Sequence, residues 1–223
     1  MSEFLNHYFE INKPVEAVRA VMEIPQGEMH FHLTFGHIYL MKTDAVVIPQ
    51  LMFELDKRMI IRPDIHEKID STIVNLSHNS LNQFGYYQIG DEGGYVIYNR
   101  PGGRSLLGDL PLYKNINKLK TENDFIQAAV ISALIDTNFN QAEQISIPSY
   151  LYSVSEYNVK RSLFNTLEAV YIFCKGIREE DLKIQKIHFV VPEPFSEKRS
   201  RDLEDVLYNN LRVLEKKYLD GNG

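Results

Sequence analysis

Glu28, His30 and His32 alternate along the chain and would share one face of a strand, a spacing that can present three metal ligands. Phe31, Leu33 and Phe35 fill the opposite face, so the simpler reading is the solvated side of an edge strand, and no metal is assigned. Gly90 to Gly94 and the run Arg100-Pro101-Gly102-Gly103-Arg104 could cradle a phosphate with two forked arginine donors. Neither run fits a P-loop or a dinucleotide fingerprint, and glycine-rich turns commonly join strands. The segment from Ser149 to Tyr157 carries Ser149, Ser153 and Ser155 together with Tyr150, Tyr152 and Tyr157, and it opens a helix. Backbone N–H groups at a helix start can hold an anion. Ser153 and Glu156, however, stand at capping-box spacing, which uses the same donors internally. No histidine–aspartate arrangement lies near these serines in the sequence, so no nucleophile is assigned. Cys174 falls on the apolar face of its helix, where a thiol is inert packing.

The elements that must position these residues are legible in the hydrophobic periodicity. The first 40 residues read as extended structure, with alternation from His30 to Phe35 resuming at Ile38 and Leu40 after Gly36. Asp44 precedes the run Ala45-Val46-Val47-Ile48, a strand covered on both faces. Tyr86-Tyr87 and Tyr95-Val96-Ile97-Tyr98 flank a glycine-rich turn and predict a hairpin or a loop entering a strand. From Thr121 a helix places Phe125, Ala128, Ala129, Ser132 and Ile135 on one stripe. Gln144 to Pro148 is a short strand, and the next helix carries Val159, Leu163, Leu167, Val170 and Cys174 inward until Gly176 stops it. Lys186 to Val191 is another strand, closed by Pro192 and Pro194. The last helix starts near Ser196 with Leu203, Leu207, Leu211, Leu214 and Tyr218 inward.

Strands alternating with helices predict an α/β domain: three layers, α/β/α, around a mixed, largely parallel sheet in which the strands at Asp44, Tyr95, Ile145 and Ile187 are neighbours. The 223 residues exceed the usual 150 of one domain, but no linker or repeat divides them, so residues 1–223 are read as one domain. Residues 1–40 are read as an N-terminal β extension that adds antiparallel strands to one edge. The composition is that of an ordinary globular protein, 44% apolar and 24% charged. A net charge of −6, from 24 basic and 30 acidic side chains, disfavours nucleic acid. A single cysteine and the lack of a long apolar stretch point to the cytoplasm, with no membrane partner.

Four segments in order resemble the macro domain, the fold that binds ADP-ribose. Gly36-His37-Ile38 and Thr43-Asp44-Ala45-Val46-Val47 resemble the family's Gly-Asp-Ile and Asp-Ala-Ile-Val. Gly85-Tyr86-Tyr87 with Tyr95-Val96-Ile97-Tyr98 resembles its Gly-Tyr segment and Tyr-Val-Ile-His strand. Ile147-Pro148-Ser149 resembles its Phe-Pro-Ala strand end, and Lys186 to Val191 with the helix that follows resembles its closing strand and helix. Departures accompany these matches. His37 stands where the family has an adenine-contacting Asp, and Ile48 and Leu51 stand in place of the Asn pair. Leu51 to Ile61 holds no glycine, and Ser153 and Glu156 replace the two glycines of the diphosphate loop.

The resemblance implies a module binding ADP-ribose or a related nucleotide through His37, Ser149, Tyr150, Ser153, Val154, Ser155, Glu156 and Tyr157, with no cofactor. The alternative is a degenerate macro-like domain without a nucleotide site, acting in protein–protein association. A hydrolase acting on ADP-ribosyl linkages is disfavoured by the missing Asn and glycine-rich loop, and no catalytic residue is assigned. A homo-oligomer is compatible with either reading.

Overall fold

The structure is a computed structural model, and it describes residues 10–49, 85–88, 94–98, 122–139, 141–149 and 159–220. Strand β1 (Val15–Ile24) turns tightly into β2 (Gly27–Phe35), and a single 3-10 turn (Ile38–Leu40) leads to β3 (Ala45–Pro49). β4 (Gly85–Gln88) and β5 (Gly94–Tyr98) precede helix α1 (Glu122–Phe139), β6 (Gln144–Pro148), α2 (Val159–Gly176), β7 (Lys186–Val191) and α3 (Glu197–Tyr218). Among the described residues no helix is long and apolar enough to cross a membrane.

The seven described strands join one sheet in the order β1-β2-β7-β6-β3-β5-β4. The five inner strands are parallel, and β1 and β4 close the two edges in antiparallel pairing. This is an α/β fold with a mixed, largely parallel sheet. The strands at Asp44, Tyr95, Ile145 and Ile187 are indeed consecutive neighbours, and β4 with β5 is the hairpin expected of the two tyrosine runs. The N-terminal strands differ from expectation. Only β1 is an edge; β2 pairs in parallel with β7 and belongs to the interior of the sheet. Ile38 and Leu40 form the 3-10 turn rather than resumed strand. Gly36 breaks the alternation at φ +136°, where a Cβ would meet backbone atoms of Asn12 and Pro14 at 2.8 Å.

Pleating divides the described sheet into two unlike faces. Val18, Ala20, Met22, Met29, Phe31, Leu33, Phe35, Ile145, Ile147, Ile187 and Phe189 point to one side and form a single core with the buried side chains of the helices. On α2 that face includes Leu163, Leu167, Val170 and Cys174; on α3 it is Leu203, Leu207, Leu211 and Leu214, as periodicity predicts, with Tyr218 half-buried. Helix α1 buries Ile126, Val130, Ile131, Ala133, Leu134 and Thr137, and Ile135 of the expected stripe packs half-buried against the core; the side chains of Phe125, Ala128, Ala129 and Ser132 lie outside those described. Between Phe125 and Ile135 only Gln127 and Ser132 are polar, so a 3.6-residue period does not single out a face there. Burying one Leu or Phe here stabilises by about 1.5–3 kcal/mol, which makes this layer the main source of stability.

Polar groups fasten the layers at defined points. Asp44 Oδ2 accepts from the N–H groups of Glu143 and Gln144 at 3.0 and 2.9 Å, joining the start of β3 to the start of β6. Ser196 caps α3 by accepting from Arg199 N–H. Asn138 at the end of α1 accepts from Lys183 N–H at 2.7 Å and donates to Asp181 O at 2.9 Å, anchoring the approach to β7.

Candidate functional site

In parallel sheets ligands lie beyond the carboxyl ends of the strands, and the described residues bring two sequence-assigned positions together there. Gly36 N–H donates to Val191 O at 2.9 Å, and Ser149 N–H donates to Val190 O at 2.8 Å. The chain leaving β2 and the chain leaving β6 thus close on the end of β7 from its two sides, carrying His37 and Ser149. His37 is buried, and its N–H donates to Asn12 O at 2.8 Å. Ser149 is 2% exposed, and its Oγ has no hydrogen-bond partner among the described residues. A buried hydroxyl without a partner is costly by about 1–3 kcal/mol, so its presence at a strand end requires an explanation. Tyr150, Ser153, Val154, Ser155, Glu156 and Tyr157 lie outside the described residues, as do residues 90–93 and 100–104 of the two glycine-rich runs.

A second constellation lies on the polar face of the sheet. His32, in β2, and His188, in β7, are direct partners in the parallel register, with ring centroids 4.8 Å apart. His32 Nδ1 lies 2.6 Å from Glu16 Oε2, and Arg19 Nε donates to the other oxygen of the same carboxylate. His188 Nδ1 lies 3.3 Å from Thr34 Oγ1. Ser146, the partner of His188 on β6, shares a 2.8 Å hydrogen bond with Thr43. Polar side chains therefore run across the sheet from Glu16 on β1 to Thr43, two residues before β3.

Burial sets the protonation of this row. It lowers the pKa of His188 to about 4, aided by neighbouring His32, and it also lowers that of His32 despite the opposing pull of Glu16. For Glu16, burial works upward, but the hydrogen bonds from Arg19 and His32 outweigh it and leave the carboxyl below its ordinary range. Near neutral pH the arrangement is a carboxylate facing two uncharged imidazoles. Cys174 behaves as expected of packing: it is fully buried and its thiol is pushed up to about 12.

The expectation for Glu28, His30 and His32 is corrected here. Glu28 and His30 are exposed, but His32 is buried, because β2 is an interior strand with β7 beside it. Its companions are Glu16 and His188, not its sequence neighbours. His188 carried a signal in the sequence, as a polar residue inside the otherwise apolar run from Ile187 to Val191. Glu16 carried none.

No protein-family model matches the chain, and no curated protein sequence matches it. Solved structures do. The Oceanobacillus iheyensis macrodomain with MES bound is 14% identical at a TM-score of 0.55, over 90% of this chain and 100% of that one. The same macrodomain with ADP gives 13% and 0.56, over 90% and 98%. A mutant of it with ADPR gives 13% and 0.55, over 89% and 100%. At these identities the likeness is one of fold, and the chain has the macrodomain fold.

Proposed function

We propose that this chain, built on the macrodomain fold, is a module that binds ADP-ribose or a related nucleotide at the carboxyl ends of β2, β6 and β7. The observation that carries the reading is Ser149: a buried hydroxyl at a strand end, beside the segment of His37, with no partner among the described residues. A ligand hydroxyl or phosphate oxygen supplies the missing partner. Solved neighbours with ADP and ADPR support the choice of ligand class. Tyr150 and the loop residues Ser153, Val154, Ser155, Glu156 and Tyr157 complete the site in this reading, on the strength of the sequence resemblance. We place the module in the cytoplasm as one domain, where its single thiol stays reduced.

One observation favours the second reading, a closed site serving protein–protein association. His37 and Ser149 are both almost fully buried, so this end of the sheet offers little open surface among the described residues. Calorimetric titration with ADP-ribose separates the two. Binding tighter than about 100 μM, near −5.5 kcal/mol, supports the module, and no heat at millimolar ligand supports the closed site.

A further inference from the structure

We propose that Glu16, His32 and His188 form a binding site for a divalent transition-metal ion of the zinc class, on the face of the sheet. One carboxylate oxygen and one nitrogen from each ring lie within 4.8 Å of one another, on three neighbouring strands. Zinc bonds of about 2.0–2.2 Å in tetrahedral geometry set ligand atoms roughly 3.3–3.5 Å apart. The Glu16–His32 contact at 2.6 Å has to open and the widest separation has to close, each by about an ångström. Side-chain rotation supplies such a change without moving the strands.

The backbone already aims these groups. His32 and His188 are directly paired on neighbouring parallel strands, which lie about 4.8 Å apart, and this puts the two imidazoles side by side with centroids 4.8 Å apart. A bulge between Glu16 and Val18 turns the Glu16 carboxylate onto the same face. Outer partners are present as well. Arg19 holds the second oxygen of Glu16, and Thr34 Oγ1 lies 3.3 Å from His188 Nδ1; such contacts orient metal ligands in known sites.

The donor set selects the ion. Two imidazoles and one carboxylate suit zinc, cobalt or ferrous iron; calcium and magnesium require oxygen ligands, and cuprous copper favours sulfur. Three protein ligands leave one position open, as in sites where a metal binds water or a small molecule. The site lies on the sheet face, within β1, β2 and β7, and does not depend on nucleotide binding at the strand ends.

The test is to strip the full chain with a chelator, titrate it with Co²⁺ while recording visible d–d absorption, and then displace the cobalt with Zn²⁺. The expected result is saturation at one Co²⁺ per chain and displacement by one Zn²⁺. Zinc affinity should fall about tenfold or more in His188→Gln, His32→Gln and Glu16→Gln. Glu16→Gln keeps an oxygen for His32 to bond, so it isolates metal binding from folding, which circular dichroism checks. Absence of saturable Co²⁺ absorption in the wild type overturns the proposal, as does zinc affinity unchanged in a folded Glu16→Gln variant.

Discussion

Glu16 and Arg19 stand three residues apart on β1 yet share one face of the sheet, where the arginine holds one oxygen of the glutamate. In a regular strand residues three apart point to opposite faces. The bulge between Glu16 and Val18 inserts one residue against β2, so Glu16 pairs with Thr34 while Arg19 pairs with His32. A local irregularity thereby directs a carboxylate at a buried histidine pair.

That pair makes stability depend on pH. The folded chain holds His188 near pKa 4, whereas an unfolded histidine titrates near 6.5. Between these values the unfolded state binds more protons, so the contribution is present above about pH 6.5 and is lost as pH falls through about 4. Urea unfolding with chelator present should show stability falling by about 1–2 kcal/mol more between pH 7 and 4.5 in the wild type than in His188→Leu. Parallel pH profiles for the two proteins would contradict the assignment.

Gly36 allows the chain to leave β2 towards His37. At φ +136° any side chain is strained, and its Cβ would press on the backbone of Asn12 and Pro14. Gly36→Ala should lower stability by roughly 2 kcal/mol or more in chemical denaturation. Gly27→Ala is the control: it shares a positive φ but has nothing within 4 Å, so it should cost less. Equal losses in the two variants would show that crowding at Gly36 has no effect.

Glu168 links the three described helices. Buried on α2, it accepts from Gln127 of α1 and from Lys217 and Tyr218 of α3, at 2.5, 2.5 and 3.2 Å. Glu168→Ala removes the shared acceptor and should cost about 2–4 kcal/mol. Lys217→Met, which trims a half-exposed partner, should cost about 1 kcal/mol or less. Thermal denaturation of both variants reads the difference, and a larger loss in Lys217→Met would reverse this ranking.

The sequence conveys the sheet better than the polar row on it. The strands at Asp44, Ile145 and Ile187 are short apolar runs bounded by polar or proline residues, and burial on both faces permits little else. Helix α3 is equally legible because four leucines repeat at helical spacing on an otherwise charged segment. The pairing of His32 with His188 is not legible. It depends on the register between strands distant in sequence, and period-2 alternation is satisfied by any even shift. The bulge at Glu16 is hidden for a related reason: the hydrophobic alternation, from Val18 to Ile24, begins only after it and carries no mark of the extra residue. The solvated reading of His32 failed because alternation identifies a second face without showing what covers it.

Glu156 stands where the resemblance to macro domains places a diphosphate-loop glycine. A carboxylate facing a diphosphate costs about 1 kcal/mol at partly solvated distances. Glu156→Gly should strengthen ADP-ribose binding several-fold by calorimetry, while losing about 0.5–1 kcal/mol of stability with the capping-box partner. Unchanged affinity in a folded variant would remove the loop from the site.

The central claim, that a nucleotide binds where β2, β6 and β7 end, is tested most directly by amide NMR of the labelled chain titrated with ADP-ribose. Saturable shifts at Gly36, His37 and Ser149 and in the loop through Tyr157, with the inner amides of β1 and α3 unmoved, are the predicted result. No saturable shift at millimolar ADP-ribose, or shifts confined to residues away from these strand ends, would contradict it.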